Sequence, residues 1–363
     1  MSAPDSVACA PARAHGGLPH AELRALGIAA AEVIDFSVSC NPYGPCAAVV
    51  RAILAAPIDR YPDPAATEAR EALSRVLGVP PDHIALGNGA AELLWTLASV
   101  LVRPGSNAVV VEPAFGELAA AVEHAGGRVH AWRARPDDGF AVDLAAVGHL
   151  VRARAATLVY LCAPGTPSGA ATPAADVAAL AEVHPDTTFV LDQSFLSLST
   201  RFADAGVRLP GNVACVRSLT KDHAIPGVRV GYVIAAPALV ARVEHGRPAW
   251  TTGAAAQAAA IAACADPGFV AESRVRLLAE RARLAELLGA LGLAPAPSTT
   301  GFLAVRTGDA AALRRRLLER HRILVRDCSS FGLPDHVRLA GRSGGDRELL
   351  AAALGEELAG VGR

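Results

Sequence analysis

The chain has 363 residues, of which 52% are hydrophobic, and its 34 basic and 35 acidic side chains leave a net charge of −1. This length favours one large domain plus a smaller one. The arginines are scattered and balanced by acids, which argues against a nucleic-acid-binding surface. The alanine-rich runs are interrupted by charges and are too short to span a membrane.

Seven cysteines are dispersed along the chain, and none of them forms a Cys-x-x-Cys pair. An odd number without such pairs indicates reduced thiols instead of a disulfide framework or a zinc site. Residues 1–17 lack the apolar core of a signal peptide. We therefore predict a cytoplasmic protein with no bound metal, no nucleic-acid partner and no membrane partner.

Few periodic elements occur in residues 1–44, which are broken by glycine and proline, and we predict an N-terminal arm there. Helical spacing follows at 46–56 and 65–77. From residue 84 onwards, the predicted strands are 84–86, 107–111, 129–132, 157–161, 188–191, 213–216 and 228–234, and the predicted helices are 91–101, 116–124, 144–153 and 174–184. Continuous apolar strands that alternate with helices predict an α/β domain whose sheet is covered on both faces.

Beyond residue 237 the pattern changes to long helices, at 254–264 and 271–288. The remaining sequence predicts a small α+β unit, with strands at 301–306, 323–326 and 336–339 and helices at 310–321 and 347–358. We therefore predict three parts, which are an arm over 1–44, a large ligand-binding domain with an interdomain helix over 45–270, and a small C-terminal domain over 271–363.

Lys221 is the only lysine in the sequence, so the other 33 of the 34 basic residues are arginines. A chain that meets nearly every demand for positive charge with arginine keeps a lysine here for a chemical reason. An amine can lose its proton and form a Schiff base with a carbonyl, whereas a guanidinium stays protonated. A surface charge is the alternative, but Lys221 lies between hydroxyl-bearing residues and a Pro-Gly turn that leads into an apolar strand.

A second pattern indicates a phosphate site. Gly89, Ala90 and Ala91 lie at a strand-to-helix turn, where backbone N–H groups at a helix N-terminus can bind an anion. Such a turn is weak evidence on its own, because many are merely tight turns. Ser218 and Arg229 flank the lysine and would add a hydroxyl and a guanidinium to the same phosphate.

A carboxylate and an aromatic ring complete the predicted site. Asp192 ends an apolar strand at the carboxyl edge of a parallel sheet, where ligands of such folds bind. It could hold a protonated ring nitrogen; the alternative is an ordinary helix N-cap. Phe115 could lie flat against an aromatic ring, or it could be a core residue.

One cofactor, pyridoxal 5′-phosphate, uses all of these groups. Its aldehyde needs the amine of Lys221, its ring nitrogen needs the carboxylate of Asp192, and its phosphate needs the anion cradle, so Lys221 and Asp192 are the predicted catalytic residues. The Ser-x-x-Lys segment followed by Pro-Gly-x-Arg-x-Gly-Tyr resembles the aminotransferase class I/II superfamily, pyridoxal-phosphate fold type I. The resemblance implies a large domain with a mostly parallel seven-stranded sheet sandwiched by helices, plus a small α+β C-terminal domain.

Within that superfamily the sequence is similar to threonine-phosphate decarboxylases and histidinol-phosphate aminotransferases. The His-Gly-Gly and Asn-Pro-Tyr-Gly-Pro motifs of the arm and the Val-Arg-Asp-Cys-Ser-Ser-Phe segment carry this similarity. It implies that His15, Arg326 and Arg338 bind the substrate, the arginines through its anionic groups. Tyr61 matches a tyrosine that reaches the cofactor phosphate of the partner subunit, which implies a homodimer with shared active sites.

Two positions depart from the superfamily pattern. Thr166 stands where an Asn normally donates to the phenolic oxygen of the cofactor, and Phe195 stands where a Tyr would be a second donor. Both positions are still expected to contact the cofactor, and the hydroxyl of Thr166 could donate. The loss of these donors should raise the pKa of the Schiff base and change the electron flow in the ring.

Four functional hypotheses follow from these patterns. The first is decarboxylation of an anionic, phosphorylated L-amino acid, and the second is transamination of the histidinol-phosphate type, in which Lys221 moves the proton. A recruited reaction such as β- or γ-replacement is the third. The fourth, a pyridoxal-sensing regulator, ranks low because such proteins carry a DNA-binding module ahead of the aminotransferase-like part, whereas only a short arm is expected here.

Overall fold

A computed structural model describes residues 15–342 and 344–359 of the chain. The first 14 residues of the predicted arm lie outside the described residues, as does most of the segment in which we found no signal peptide. Within the described ranges, no single helix is long and apolar enough to cross a membrane, although one bent pair, Ala254–Ala265 with Pro267–Ala290, meets the same criteria of length and composition.

The strands of the described residues, in chain order, are β1 Ile34–Asp35, β2 Ile84–Gly87, β3 Asn107–Glu112, β4 Arg128–Arg133, β5 Leu158–Cys162, β6 Thr188–Asp192, β7 Val213–Ser218, β8 Gly231–Ile234, β9 Phe302–Arg306, β10 Ile323–Leu324, β11 Arg326–Asp327 and β12 His336–Ala340. The α-helices are α1 His20–Leu26, α2 Ala47–Leu54, α3 Thr67–Leu77, α4 Gly89–Leu101, α5 Glu117–His124, α6 Leu144–Arg154, α7 Ala174–Glu182, α8 Leu219–Asp222, α9 Pro237–His245, α10 Ala254–Ala265, α11 Pro267–Ala290, α12 Ala310–His321 and α13 Gly344–Ala359. The predicted elements occur with their ends shifted by a few residues, whereas the sequence pattern does not predict α1, β1, α8 and α9.

The large sheet has the strand order β2-β8-β7-β6-β5-β3-β4. Strands β7, β6, β5, β3 and β4 run parallel, and β8 is antiparallel to both β7 and β2. Helices α4, α5 and α9 cover one face of this sheet, and α6 and α7 cover the other. The expected mostly parallel seven-stranded sheet is therefore confirmed. Because β5, β6 and β7 are neighbours, their carboxyl ends bring Cys162, Asp192 and Ser218 to one edge.

The small sheet is antiparallel, with the strand order β11-β12-β9. Its core is shared with α11, α12 and α13 and includes Phe36 from the arm. The arm also contributes β1, which pairs in parallel with β10. The α+β character predicted for the C-terminal part is confirmed, whereas the boundaries of the three predicted parts stay a prediction.

Two predicted strands differ from the structure. The segment 228–234 becomes a strand only at Gly231, because Arg229 has a φ of 57°, in the left-handed region that interrupts extended backbone. The segment 323–326 is divided into β10 and β11, which pair with β1 and β12 respectively. This division places Arg326 directly opposite Arg338 in the small sheet.

Candidate active site

A cavity of about 560 Å³ lies at the carboxyl edge of the large sheet and reaches the small sheet and the arm. The predicted site residues that line it are His15, Ala90, Ala91, Phe115, Thr166, Asp192, Phe195, Ser218, Lys221, Arg229, Arg326 and Arg338. Two predicted residues do not line it. Gly89 lies directly behind the Arg229 guanidinium, and Tyr61 lies on the surface with 78% of its area exposed.

Lys221 lies in α8, the short helix that follows β7. Its Nζ is 5.1 Å from the centroid of the Phe195 ring, so the amine lies near an aromatic face inside the cavity. Asn41 of the arm donates through its backbone N–H to the Lys221 carbonyl oxygen and through Nδ2 to the Asp222 carbonyl oxygen, both at 2.9 Å. The arm therefore holds the turn that carries the lysine.

Asp192 is the last residue of β6 and is almost fully buried. Its Oδ2 accepts a hydrogen bond from the hydroxyl of Tyr160 at 3.1 Å, and its Oδ1 accepts one from the backbone N–H of Ser194 at 2.9 Å. The next helical turn begins only at Leu196, so a helix N-cap is not the role of this carboxylate. A buried carboxylate that faces a cavity is suited to a protonated ring nitrogen, because burial strengthens their attraction.

The N-terminus of α4 and its neighbours form an anion cradle. Gly89 has a φ of +83°, and a Cβ at this position would collide with the guanidinium of Arg229, so glycine is required for the arginine to fit. The hydroxyl oxygens of Ser218 and Thr220 lie 2.7 Å apart, and both residues line the cavity. Free backbone N–H groups, two hydroxyls and a guanidinium are the donor set that a phosphate dianion requires.

Arg338 is buried at the opposite end of the cavity. It donates from Nη1 to Thr166 Oγ1 at 3.0 Å and from Nη2 to the Ser37 carbonyl oxygen at 2.7 Å. Its Nε has no hydrogen-bond partner within the described residues. Burial lowers the pKa of Arg338 to about 10, which still leaves the guanidinium charged at neutral pH. Its two acceptors are neutral, so neither compensates this charge.

Arg326 lies directly across the small sheet from Arg338. It donates to the Asp327 carbonyl oxygen at 2.8 Å and to Ser330 Oγ at 2.7 Å. Burial lowers the pKa of Arg326 as well. Two buried cations that face each other across antiparallel strands repel one another, and an anion placed between them removes that repulsion.

His15 and Phe115 lie at the wall of the cavity, together with Glu117. The His15 ring is tilted against the Phe115 ring, with centroids 5.5 Å apart, and its Nε2 lies 3.0 Å from Glu117 Oε1. The indole Nε1 of Trp95 donates to the other carboxylate oxygen at 2.6 Å. Phe115 therefore lines the site and is not simply a core residue.

The two departures from the superfamily pattern both line the cavity. Thr166 is buried, and its hydroxyl oxygen accepts from Arg338, which leaves its own proton able to donate into the cavity. Phe195 packs edge to face against Phe302, with ring centroids 4.9 Å apart. An apolar ring thus replaces a hydroxyl donor beside Lys221.

Sequence reasoning missed Thr220, Glu117 and Tyr160. Thr220 was detectable, since it lies one residue before the lysine in a hydroxyl-rich segment. Glu117 has a weaker signal, a carboxylate in the first turn of the helix that follows Phe115. Tyr160 gives no signal, because it lies inside a continuous apolar strand.

The cavity fits pyridoxal 5′-phosphate. The amine of Lys221, the buried carboxylate of Asp192 and the cradle at Gly89 and Arg229 all face one space. These groups match the aldehyde, the ring nitrogen and the phosphate of that cofactor. The role of each individual residue stays a prediction.

The family model for class I and II aminotransferases matches residues 31–356. The chain is 34% identical to the histidinol-phosphate aminotransferase of Symbiobacterium thermophilum, over 90% of this chain and 91% of that protein. It is 32% identical to the threonine-phosphate decarboxylase of Salmonella typhimurium, over 96% of this chain and 97% of that protein. A crystal structure of the histidinol-phosphate aminotransferase from Sinorhizobium meliloti in complex with pyridoxal-5′-phosphate has a TM-score of 0.86 and 30% identity, over 95% of both chains. The chain therefore belongs to the class I and II aminotransferase family, and it is a pyridoxal-phosphate-dependent enzyme that acts as a transferase or a lyase.

Proposed function

We propose that this enzyme acts at Cα of an L-amino acid that carries a phosphate, and that it removes the carboxylate as CO₂. The observation that carries the proposal is the pair of buried arginines, Arg326 and Arg338, at the end of the cavity away from the phosphate cradle. A carboxylate and a phosphate are the anions that a guanidinium binds with two parallel hydrogen bonds.

The arginine pair favours a substrate with two anionic groups. Arg338 lines the cavity and donates only to neutral acceptors, so an anion that approaches its guanidinium gains a charge-assisted interaction. Arg326 faces the same space from the neighbouring strand. A phosphorylated amino acid has a carboxylate and a phosphate, so it offers one anion to each guanidinium.

The cofactor supplies an electron sink for the charge that is left at Cα when a bond to that atom breaks. Asp192 would hold the proton at the ring nitrogen, while Ser218, Arg229 and the N-terminus of α4 would hold the phosphate. When the carboxylate leaves as CO₂, its bonding electron pair stays on the substrate, and a protein acid must then deliver a proton to Cα. Lys221 is the candidate for that acid, because its amine lines the same cavity.

Transamination is the second candidate, and the names of several relatives favour it. Relatives with 34% and 35% identity are histidinol-phosphate aminotransferases. In that reaction Lys221 would remove the proton from Cα instead, and an oxo acid would be required to accept the amino group. The same residues serve both reactions, so the products distinguish them.

The first experiment is to incubate the holoenzyme with L-threonine O-phosphate and to record released CO₂ together with the absorbance spectrum. We expect CO₂ in the absence of any oxo acid, and a spectral change that L-threonine without phosphate produces only weakly. Turnover that requires an oxo acid and releases no CO₂ would instead establish transamination. A spectrum that the phosphorylated substrate leaves unchanged would reject the proposed substrate class.

We also propose a homodimer with shared active sites, located in the cytoplasm. Tyr61 is 78% exposed and stacks on Trp250, with ring centroids 4.6 Å apart, while Leu54 and Ile58 nearby are 81% and 97% exposed. Exposed apolar and aromatic residues of this kind are typical of a protein interface. The interface would bring Tyr61 to the cofactor phosphate of the partner subunit.

Mixing two variants tests this arrangement. In a dimer of Lys221→Ala and Tyr61→Phe subunits, one of the two sites combines an intact lysine with an intact tyrosine. That site should bind the cofactor as tightly as a wild-type site, whereas the sites of Tyr61→Phe alone should bind it more weakly. If the mixture binds the cofactor no more tightly than Tyr61→Phe alone although subunit exchange is demonstrated, Tyr61 does not act in the site of the partner subunit.

A further inference from the structure

We propose that Tyr160 is a positioning residue for Asp192, and that Cys162 sets the direction of the hydrogen bond between them. In this role, the buried phenol holds the carboxylate charged and correctly oriented beneath the ring nitrogen of the cofactor. The inference needs the pyridoxal cofactor but does not depend on whether the enzyme decarboxylates or transaminates. An experiment can therefore reject this inference without rejecting the proposed function, and the reverse.

The positions of the three residues follow from the large sheet. Strands β5 and β6 are parallel neighbours, and their register places Cys162 opposite Asp192. Tyr160 lies two residues before Cys162, so both side chains point to the same face of the sheet. The hydroxyl of Tyr160 donates to Asp192 Oδ2 at 3.1 Å, and the thiol of Cys162 donates to the Tyr160 hydroxyl oxygen at 3.4 Å.

The protons in this series of hydrogen bonds have a single consistent arrangement. Burial raises the pKa of the Cys162 thiol to about 12 and raises the pKa of Tyr160 well above its ordinary value, so both groups keep their protons at neutral pH. An ionised carboxylate can only accept hydrogen bonds, so the Tyr160 proton points at Asp192. The phenol oxygen then accepts from the thiol of Cys162.

These two hydrogen bonds connect neighbouring strands of the large sheet. Tyr160 and Cys162 lie on β5, and Asp192 ends β6. The hydrogen bonds from Cys162 and Tyr160 hold the carboxylate in place relative to β5. A carboxylate that loses one of its two buried donors is less stable in its charged form and therefore more basic, so the proton that it shares with the ring nitrogen should move toward the carboxylate.

The competing interpretation is that Tyr160 only fills space. Its side chain is fully buried and lies within the core of the large sheet. Replacement of Tyr160 by Phe keeps the ring and removes the hydroxyl, so it separates the two interpretations. A space-filling residue would tolerate this change, and a positioning residue would not.

The test uses the holoenzyme loaded with pyridoxal 5′-phosphate labelled with ¹⁵N in the ring. In Tyr160→Phe we expect the ¹⁵N chemical shift to move toward that of an unprotonated ring nitrogen. We also expect kcat to fall about tenfold, as for loss of one hydrogen bond to a charged group, with KM changed less than twofold. An ¹⁵N signal and kcat equal to those of the wild type would overturn the proposal.

Three further variants serve as controls. Tyr232→Phe removes another buried phenol, from β8, which does not line the cavity, and should leave the ¹⁵N signal unchanged. In an Asp192→Asn background, Tyr160→Phe should cause no further rise in the dissociation constant of the cofactor, because Tyr160 acts through Asp192. An additional rise in that background would contradict the proposal.

If Tyr160→Phe does not fold, Cys162→Ala takes its place. A smaller change of the ¹⁵N chemical shift in the same direction would support the proposed series of hydrogen bonds, and an unchanged ¹⁵N signal would contradict it.

Discussion

The two ends of the cavity are built from different sheets and carry different charge patterns. The cofactor end lies on neighbouring strands of the large sheet, where the positive Lys221 and the negative Asp192 face one space. The other end, which we propose binds the substrate and which we call the substrate end, lies on the small sheet, where the positive Arg326 and Arg338 face each other. The cofactor end therefore contains opposite charges, and the substrate end contains like charges that call for an anion.

This difference in charge indicates how strictly each end of the cavity selects what it binds. At the cofactor end, a single lysine, a single carboxylate and a cradle with a required glycine at Gly89 leave little freedom in what can bind. At the substrate end, we expect the arginines to select the charge of the ligand but not its shape. We expect substitutions at the first end to abolish the chemistry, and substitutions at the second end to change which substrate is used.

The largest expected effect is that of Lys221→Ala. Activity should fall at least about 10³-fold, because the only lysine of the sequence, whose amine lines the cavity, is lost. The absorbance band of the lysine-linked cofactor should disappear at the same time. Lys221→Arg is the matched control, since it keeps the charge and should be just as inactive. Measurable turnover by Lys221→Arg would show that the charge alone, and not the amine, is needed.

A smaller effect is expected for Arg338→Met. The value of kcat/KM for a phosphorylated amino acid should fall about 100-fold, the loss expected when a buried charged hydrogen bond is removed. The absorbance spectrum of the bound cofactor should stay unchanged. Arg306→Met, an exposed arginine on β9 of the same sheet, is the control and should behave as wild type. Equal losses in both variants would mean that Arg338 has no specific role in binding.

At the cofactor end, Arg229→Gln should weaken the binding of pyridoxal phosphate about tenfold, because one charged donor of the cradle is lost. Titration of the apoenzyme with the cofactor measures this change. Ser218→Ala should cause a smaller loss, since a neutral hydroxyl is the weaker donor. A cofactor affinity that neither substitution alters would place the phosphate elsewhere.

The smallest effect on activity, and a clear one on stability, is expected for Asp222→Asn. Burial raises the pKa of Asp222 from 3.8 to about 7, and its Oδ1 has no hydrogen-bond partner within the described residues. Because the folded pKa exceeds the unfolded one, the stability contribution of Asp222 is full below pH 3.8 and is lost as the pH rises to about 7. From pH 5 to 8, the free energy of unfolding of Asp222→Asn should therefore rise relative to wild type by on the order of 3 kcal/mol.

Denaturant titrations at pH 5 and pH 8 measure this difference. The neighbouring His223 has the opposite effect: burial lowers its pKa to about 4, so its contribution falls as the pH drops below the unfolded value of 6.5. The two groups partly cancel in the wild type, and Asp222→Asn should reveal the loss of stability at acid pH that His223 causes. A constant difference between wild type and variant from pH 5 to 8 would contradict the raised pKa.

Sequence could predict those parts of the fold and site that depend on local patterns. The strands and helices of the large sheet follow from apolar runs, and the importance of Lys221 follows from its being the only lysine. The pairing of Arg326 with Arg338 was not predictable, because register depends on where the chain divides 323–326 into two strands. Tyr160 was hidden for another reason, since a phenol in a buried strand has the same apolar pattern as a core residue.

The arm has a consequence for the order in which a new chain becomes functional. Its Asn41 donates to the carbonyl oxygen of Lys221, the Ser37 carbonyl oxygen accepts from Arg338, 301 residues further along the chain, and Ile34 pairs with Ile323. The ribosome makes this segment early, long before its partners exist. The large sheet and the turn that carries Lys221 can thus form during synthesis, whereas the end of the cavity that contains Arg326 and Arg338 is finished only when almost the whole chain has emerged.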